Sequence, residues 1–419
     1  MVERFIATYQ RLLRSTDYET RRYLYKDFNL NSRVTGLIGP RGTGKTTLLL
    51  QYIKNELDDV DKCIYASMDS VYFSHSSLVE FVDELYEVYG IRYFFLDEIH
   101  KYSNWNQELK NIYDSYPDVK VVFSGSSSID LVKGAYDLSR RGVIYRLAGL
   151  SFREYLDFRG IIKYEAIEYE DLLKNSKSIQ AELGSVDRIR GHFKDYLSFG
   201  YFPFFLDSVL PSATDDIQIE SKIDTFVYSG KLFRIIEKTI YEDISNYYKI
   251  KTENLDYFKR ILAYIATIPP GELSRNNIAK NIGLDNKTIR NYLNILQDTG
   301  LLALIASKKA GSNLLKQTEK IYLDNSNLYQ AVINEIGYSS SVGSIREIFF
   351  VNMIRNSGRQ LFYSHTGDFE VEGSVFEIGG RGKSWKQMRE KLSNGYLVKD
   401  DILYGGNHEI PLYLFGFLY

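Results

Sequence analysis

Cysteine is almost absent from this sequence. The single Cys63 among 419 residues excludes an intramolecular disulfide, and because it falls in a strand-like apolar run it reads as a small buried hydrophobe. A reducing, cytoplasmic interior is the expected compartment. Long apolar runs are missing as well. None approaches the ~20 residues needed to span a bilayer, and Met1 to Gln10 lack the apolar core of a secretory signal, so no membrane partner is expected. Nor is there an excess of charge of one sign. With 52 basic against 54 acidic side chains the formal net charge is −2, which excludes a basic coat and leaves any nucleic-acid contact to a local patch. Proline is scarce beside tyrosine, but no low-complexity segment or internal repeat accompanies the bias, and composition assigns no function.

What is present is a globular chain long enough for two or three domains. It is organised around Gly39-Pro40-Arg41-Gly42-Thr43-Gly44-Lys45-Thr46. The apolar run Val34 to Ile38 before it reads as a buried strand, and Thr47 to Leu57 after it as a helix. In that context the glycines let backbone N–H groups wrap a phosphate, the helix N-terminus adds partial positive charge, and Lys45 reaches the β- and γ-phosphates. Thr46 is the expected Mg²⁺ ligand. Residues 39 to 47, Thr47 included, form the expected contact set for ATP or ADP.

A second signal follows on Arg92 to Glu98. Apolar residues form a parallel strand whose carboxyl end carries two acids, where ligands collect in open α/β sheets. Asp97 is expected to hold the metal and Glu98 to act as general base on the attacking water. A further strand, Val119 to Phe123, ends in Ser124-Gly125-Ser126-Ser127-Ser128, and Ser126 is the candidate sensor of the γ-phosphate. Arg140 or Arg141, ahead of a fifth strand at Val143 to Leu147, is a candidate for an arginine supplied to a neighbouring subunit's site. Such a role requires a homo-oligomer.

Gly39 to Thr46, Leu96-Asp97-Glu98-Ile99-His100-Lys101 with Trp105, Phe123-Ser124-Gly125-Ser126, Leu150 to Leu156 and the ending Pro411 to Tyr419 together resemble a family of prokaryotic AAA-type ATPases with a C-terminal domain of uncharacterised function. The resemblance implies an α/β P-loop core over residues 1–150, with the sensor strand lying between the loop strand and the acid strand. It also implies a helical lid, to which residues 151–250 correspond through charged helices and the break at Gly200-Tyr201-Phe202-Pro203. Arg188 and Arg190 are the candidates there for a second sensor.

From Leu255 the pattern changes to helix-turn-helix spacing, with stops at Pro269-Pro270-Gly271, a cap at Ser274 and a turn at Gly283. Residues 251–318 read as a winged helix. Ile289, Tyr292, Leu293 and Leu296 form the buried stripe, leaving Lys287, Arg290, Asn291 and Asn294 toward solvent or a duplex DNA groove; such modules also serve protein contacts. Residues 319–419 read as α/β, with a closing strand at Leu412 to Phe417. Glu347, Asp368 and Glu377 resemble the skeleton of a restriction-endonuclease-like domain. Gly379 stands where that site needs a lysine, and Lys383 could reach it only through an altered loop. An inactive scaffold that docks a protein partner is therefore expected. The function expected of the whole is Mg²⁺-dependent ATP hydrolysis coupled to lid and winged-helix movement. The alternatives are a slow ATP-held binding switch and an ATP-gated nuclease.

Overall fold

A computed structural model of the chain describes residues 2–16, 19–126, 141–208, 223–270, 274–308, 319–385 and 394–419. The chain forms two compact units, meeting in sequence between Gly149 and Leu150. The first opens with helix α1 (Val2–Ser15) and a short 3-10 turn at Tyr23–Lys26. Five strands follow: β1 (Val34–Ile38), β2 (Cys63–Ser67), β3 (Tyr93–Asp97), β4 (Lys120–Gly125) and β5 (Gly142–Arg146). Between them run α2 (Lys45–Glu56), α3 (Leu78–Tyr89) and α4 (Trp105–Ser115). The strands form one parallel sheet in the order β2-β3-β4-β1-β5, so β4 does separate the loop strand from the acid strand.

Local chemistry accounts for these limits. β1 is buried at every position, as a strand covered on both faces must be. Ser77 and Glu80 close a capping box at the start of α3, and Gly90, at φ 68°, ends it. Leu37, Ile38, Leu48, Leu49, Phe94, Phe95 and Leu96 are fully buried and contribute about 1.5–3 kcal/mol each. Cys63 is buried within β2, and burial pushes its thiol up to about 12.

The second unit begins with a helix at Phe152–Phe158, itself set by a Ser151–Glu154 capping box. Its helical segment breaks as a π-turn at Tyr196–Gly200. The Asn327 side chain donates to the carbonyls of Tyr196 and Leu197 at 3.1 and 3.0 Å, and accepts from Tyr201 N and Tyr228 Oη at 2.8 and 2.6 Å. Those bonds satisfy backbone groups that the break would leave orphaned. Helices Thr252–Thr267, Arg275–Ile282 and Asn286–Asp298 precede an antiparallel pair, β6 (Leu302–Ala306) and β7 (Glu319–Leu323). Helices Ser326–Glu335 and Val342–Asn356 then lead to β8 (Leu361–Tyr363), β9 (Phe369–Val371), β10 (Ser374–Gly379), β11 (Gly395–Lys399) and β12 (Glu409–Pro411). These make a second sheet in the order β12-β11-β10-β9-β8, antiparallel on the β8 side of β10 and parallel on the other.

The expected closing strand is a correction. Leu412–Phe417 is a buried 3-10 turn following β12; a continuous apolar run carries no alternation from which strand and helix could be told apart. Residues 151–250 also share a core with the chain's last third, Phe193 meeting Phe349 at 4.9 Å and Phe152 meeting Phe417 at 5.7 Å between ring centroids.

Candidate active site

β1 runs directly into the phosphate loop. Gly42 and Gly44 take φ of 82° and 90°, a left-handed backbone that side chains oppose. Gly44 caps α2, which starts at Lys45, two residues ahead of the sequence expectation. A Cβ on Gly39 would collide with the Leu147 carbonyl oxygen, so that glycine is demanded by the neighbouring chain as well. Pro40, Arg41 and Thr47 are half-buried around the loop. Lys45 is buried, and its Nζ donates to the carbonyls of Gly39 and Pro40, both at 2.9 Å. Thr43 Oγ1 donates to the Pro40 carbonyl at 2.9 Å. The loop thus closes on its own lysine around the N-terminus of α2, whose first-turn N–H groups have no intrahelical acceptor.

β3 brings the acids to the same edge. Asp97 is buried and accepts through Oδ2 from Thr46 Oγ1 and Tyr65 Oη, both at 2.6 Å. Through Oδ1 it accepts from Ser124 Oγ and from the Glu98 N–H, the latter at 3.1 Å. Four donors hold one carboxylate, and one of them is the threonine expected beside the metal. Burial, followed by the Asp97 charge, pushes the Tyr65 phenol up, so it remains a donor. Glu98 adopts φ 54°, ψ 41°, and its Oε2 lies 3.2 Å from His100 Nε2.

Three contributors escaped the sequence reading. Tyr65 on β2 and Ser124 on β4 reach Asp97 from neighbouring strands; Ser126, the expected sensor, is buried just past β4. Arg22 is buried, and its guanidinium donates to the carbonyls of Thr43, Ala148 and Gly149, the last two at 2.8 Å. It ties the phosphate loop to the segment that follows β5. An arginine far ahead of the loop carries no spacing signal that could have revealed this.

The candidate arginines lie elsewhere. Arg140 is outside the described residues. Arg141 precedes the amino end of β5, pairs with Asp114 at 3.7 Å and lies 5.4 Å from the Tyr113 ring centroid, away from the carboxyl ends that carry the loop and the acids. Arg188 and Arg190 belong to the second unit, where Arg190 donates to the Asp401 carbonyl at 2.9 Å.

In the second unit, Lys287, Arg290, Asn291 and Asn294 share the exposed face of Asn286–Asp298, while Ile289, Tyr292, Leu293 and Leu296 are buried. The acids near β10 form a mixed cluster. Lys383 Nζ stands 2.6 Å from Glu377 Oε1, and Lys320 lies 3.7 Å from Glu347 and 4.0 Å from Asp368. Tyr322 Oη donates to Glu347 at 2.7 Å. Burial pushes the Glu347 and Glu377 carboxyls up, against the pull of the lysines. The altered loop that a lysine at 383 required is present: Lys383 N donates to the Gly380 carbonyl at 2.9 Å, and the lysine stem folds over Gly379, where a Cβ would lie 2.7 Å from Lys383 Cγ. Among the described residues, no group of three or more His, Cys, Asp and Glu could hold a metal ion.

A parallel sheet in which β4 separates the loop strand from the acid strand, with a phosphate loop and an acidic pair at its carboxyl edge, is the arrangement of a P-loop nucleotide-binding core. In agreement, residues 31–156 match the AAA domain family, and residues 190–337 match a domain of unknown function, DUF8612. The chain is 27% identical to the uncharacterized protein MJ1637 of Methanocaldococcus jannaschii over 405 residues, covering 88% of this chain and 81% of that one. Among solved structures, it is 16% identical to C. elegans PCH-2, with a TM-score of 0.26 over 70% of this chain and 68% of that one. AMPPCP-bound DnaA from Aquifex aeolicus gives 16% identity and a TM-score of 0.25 over 66% and 84%. Superpositions this loose carry no weight; the assignment rests on strand order, site geometry and the family match. Among the described residues no helix is long and apolar enough to cross a membrane.

Proposed function

We propose that the first unit binds ATP with Mg²⁺ and hydrolyses it. The observation that carries this reading is the 2.6 Å bond from Thr46 Oγ1 to Asp97 Oδ2, which joins the end of the phosphate loop to the acid strand with Glu98 as the next residue. A hydroxyl and a carboxylate in direct contact are a donor set that suits a hard divalent cation. Thr46 and Asp97 would hold Mg²⁺, which when bound neutralises phosphate charge. Lys45 would exchange the carbonyls of Gly39 and Pro40 for phosphate oxygens, which are stronger acceptors. The loop N–H groups from Gly39 to Thr47 would cradle the remaining phosphate oxygens. Glu98 would take the proton of the attacking water, and Ser126 would report the γ-phosphate. Arg140 or Arg141 would act on a neighbouring copy's site, which requires an oligomer.

On this reading nucleotide state moves the elements beyond the core. The exposed Lys287, Arg290, Asn291 and Asn294 of the reading helix in a winged-helix module would meet duplex DNA. The nuclease-like sheet would dock a protein partner, its Glu377 being already engaged by Lys383. Steady-state ATP hydrolysis by the full chain, alone and with duplex DNA, tests the proposal beside Glu98→Gln. Turnover in the wild type, its loss by roughly 100-fold or more in Glu98→Gln with binding retained, and a higher rate with DNA are expected. Turnover indifferent to both DNA and protein partners favours a slow nucleotide-held switch, and turnover equal in the two proteins removes Glu98 as the base.

A further inference from the structure

Glu98 stands in a left-handed backbone at φ 54°, ψ 41°, an uncommon conformation for a residue with a side chain. The conformation has a local result. It starts the 3-10 turn Ile99–Lys101, closed by the Lys101 N–H on the Glu98 carbonyl at 2.9 Å. Ile99 is fully buried and anchors that turn. The turn carries His100 back over the carboxylate of the residue two positions before it, with Nε2 3.2 Å from Oε2. The imidazole is the more enclosed partner, its side chain 10% exposed against 29% for the acid. The two atoms stand at ion-pair distance without hydrogen-bond alignment, and because a carboxylate can only accept, attraction across the contact requires the hydrogen on His100 Nε2.

From this geometry we infer that His100 is a positioning residue for hydrolysis, a role that rests on the reading of Glu98 as the base. A glutamate on an unrestrained side chain spreads its oxygens over many rotamers, whereas a general base must stay within hydrogen-bond reach of one water. His100 removes that freedom by fixing Oε2, and Oε1 is the oxygen left to receive the proton. In the step so defined, the water O–H bond breaks and its proton passes to Glu98 Oε1. The water oxygen bonds to the γ-phosphorus while the bond to the β–γ bridging oxygen breaks, giving ADP and phosphate. The proton then leaves Glu98 for solvent, restoring the carboxylate. The strained backbone serves the same end, because a right-handed conformation at Glu98 would take His100 off the acid.

The test compares His100→Leu, which keeps volume but has no donor, with His100→Gln, whose amide can donate from a similar place. Steady-state kcat and KM for ATP, the Kd of mant-ATP and a thermal melt are measured on the full chain. His100→Leu is expected to lower kcat by about tenfold or more, with KM and the mant-ATP Kd within about twofold, and His100→Gln to recover most of the rate. Should His100→Leu fail to fold, His100→Ala is read in its place. Wild-type kcat in the donorless variant overturns the role of His100 alone, as does a loss that Gln does not relieve or that falls on KM. A wild type that binds mant-ATP but hydrolyses nothing overturns the hydrolysis reading, and His100 with it.

Discussion

At Asp97 one carboxylate gathers four donors, and only one of them was visible in advance. Thr46 follows from the phosphate-loop pattern; Tyr65 and Ser124 arrive from adjacent strands, and the Glu98 N–H from the turn. Tyr65 is level with Phe95 in the sheet register, two positions before Asp97, so both side chains emerge on one face. Nothing in the linear sequence distinguishes that tyrosine from the many others. Its hydroxyl lies 2.6 Å from a buried acid, and bonds to charged groups contribute more than neutral ones. Tyr65→Phe keeps the ring and removes only the donor. It is expected to destabilise the first unit by about 1.5–3 kcal/mol, read from urea unfolding of the full chain followed by hydrogen exchange in β1 to β4. A change under ~0.5 kcal/mol would mean that Asp97 is satisfied without it.

At the scale of elements the first unit was largely legible. Its strands are short apolar runs, β1 leading into Gly39 and β4 ending at Gly125, and the structure moves their limits by a residue or two. The closing segment failed for the same reason that β1 succeeded: an unbroken apolar run says that a segment is buried without saying how it is wound. One apparent flaw in β1 has a packing cause. Gly36 sits mid-strand, where glycine ordinarily weakens a sheet, but it pairs with Phe123 of β4. A Cβ there would stand 2.7 and 2.9 Å from the Phe123 ring atoms Cζ and Cε2. That ring is itself buried, so making room for a Cβ would displace it within the packed core. Gly36→Ala is therefore expected to cost about 1–3 kcal/mol through overpacking, in place of the ~0.4–1 kcal/mol gain that restricting an unfolded glycine would bring at an unstrained site. The sign of the shift in melting temperature decides between them.

At the scale of the molecule, the sequence divides into four functional segments more readily than the packing does. The second unit closes on its own ends. Phe152, near its start, meets Phe417 at 5.7 Å, the Ile167 N–H donates to the Phe417 carbonyl at 2.7 Å, and Arg153 Nε donates to the Tyr419 carbonyl at 3.0 Å. Contacts spanning the full length of a unit have no periodicity, so sequence patterns cannot reveal them, and they are also the contacts with the highest loop-closure cost. Gly416 exists for the same junction, since a Cβ there would strike the Phe152 side chain. Phe417 is fully buried, and Phe417→Ala removes the ring at the meeting point of both ends. The expected loss is about 3–5 kcal/mol, and its distribution is the informative part. If residues 150–419 are one cooperative unit, amide protection falls together in 152–158, in 326–356 and in the sheet from β8 to β12, while β1 to β5 keep theirs. Protection lost only at the C-terminal sheet, with 152–158 unchanged, would mean that the helical segment is held by its own core and that the ends touch without sharing stability.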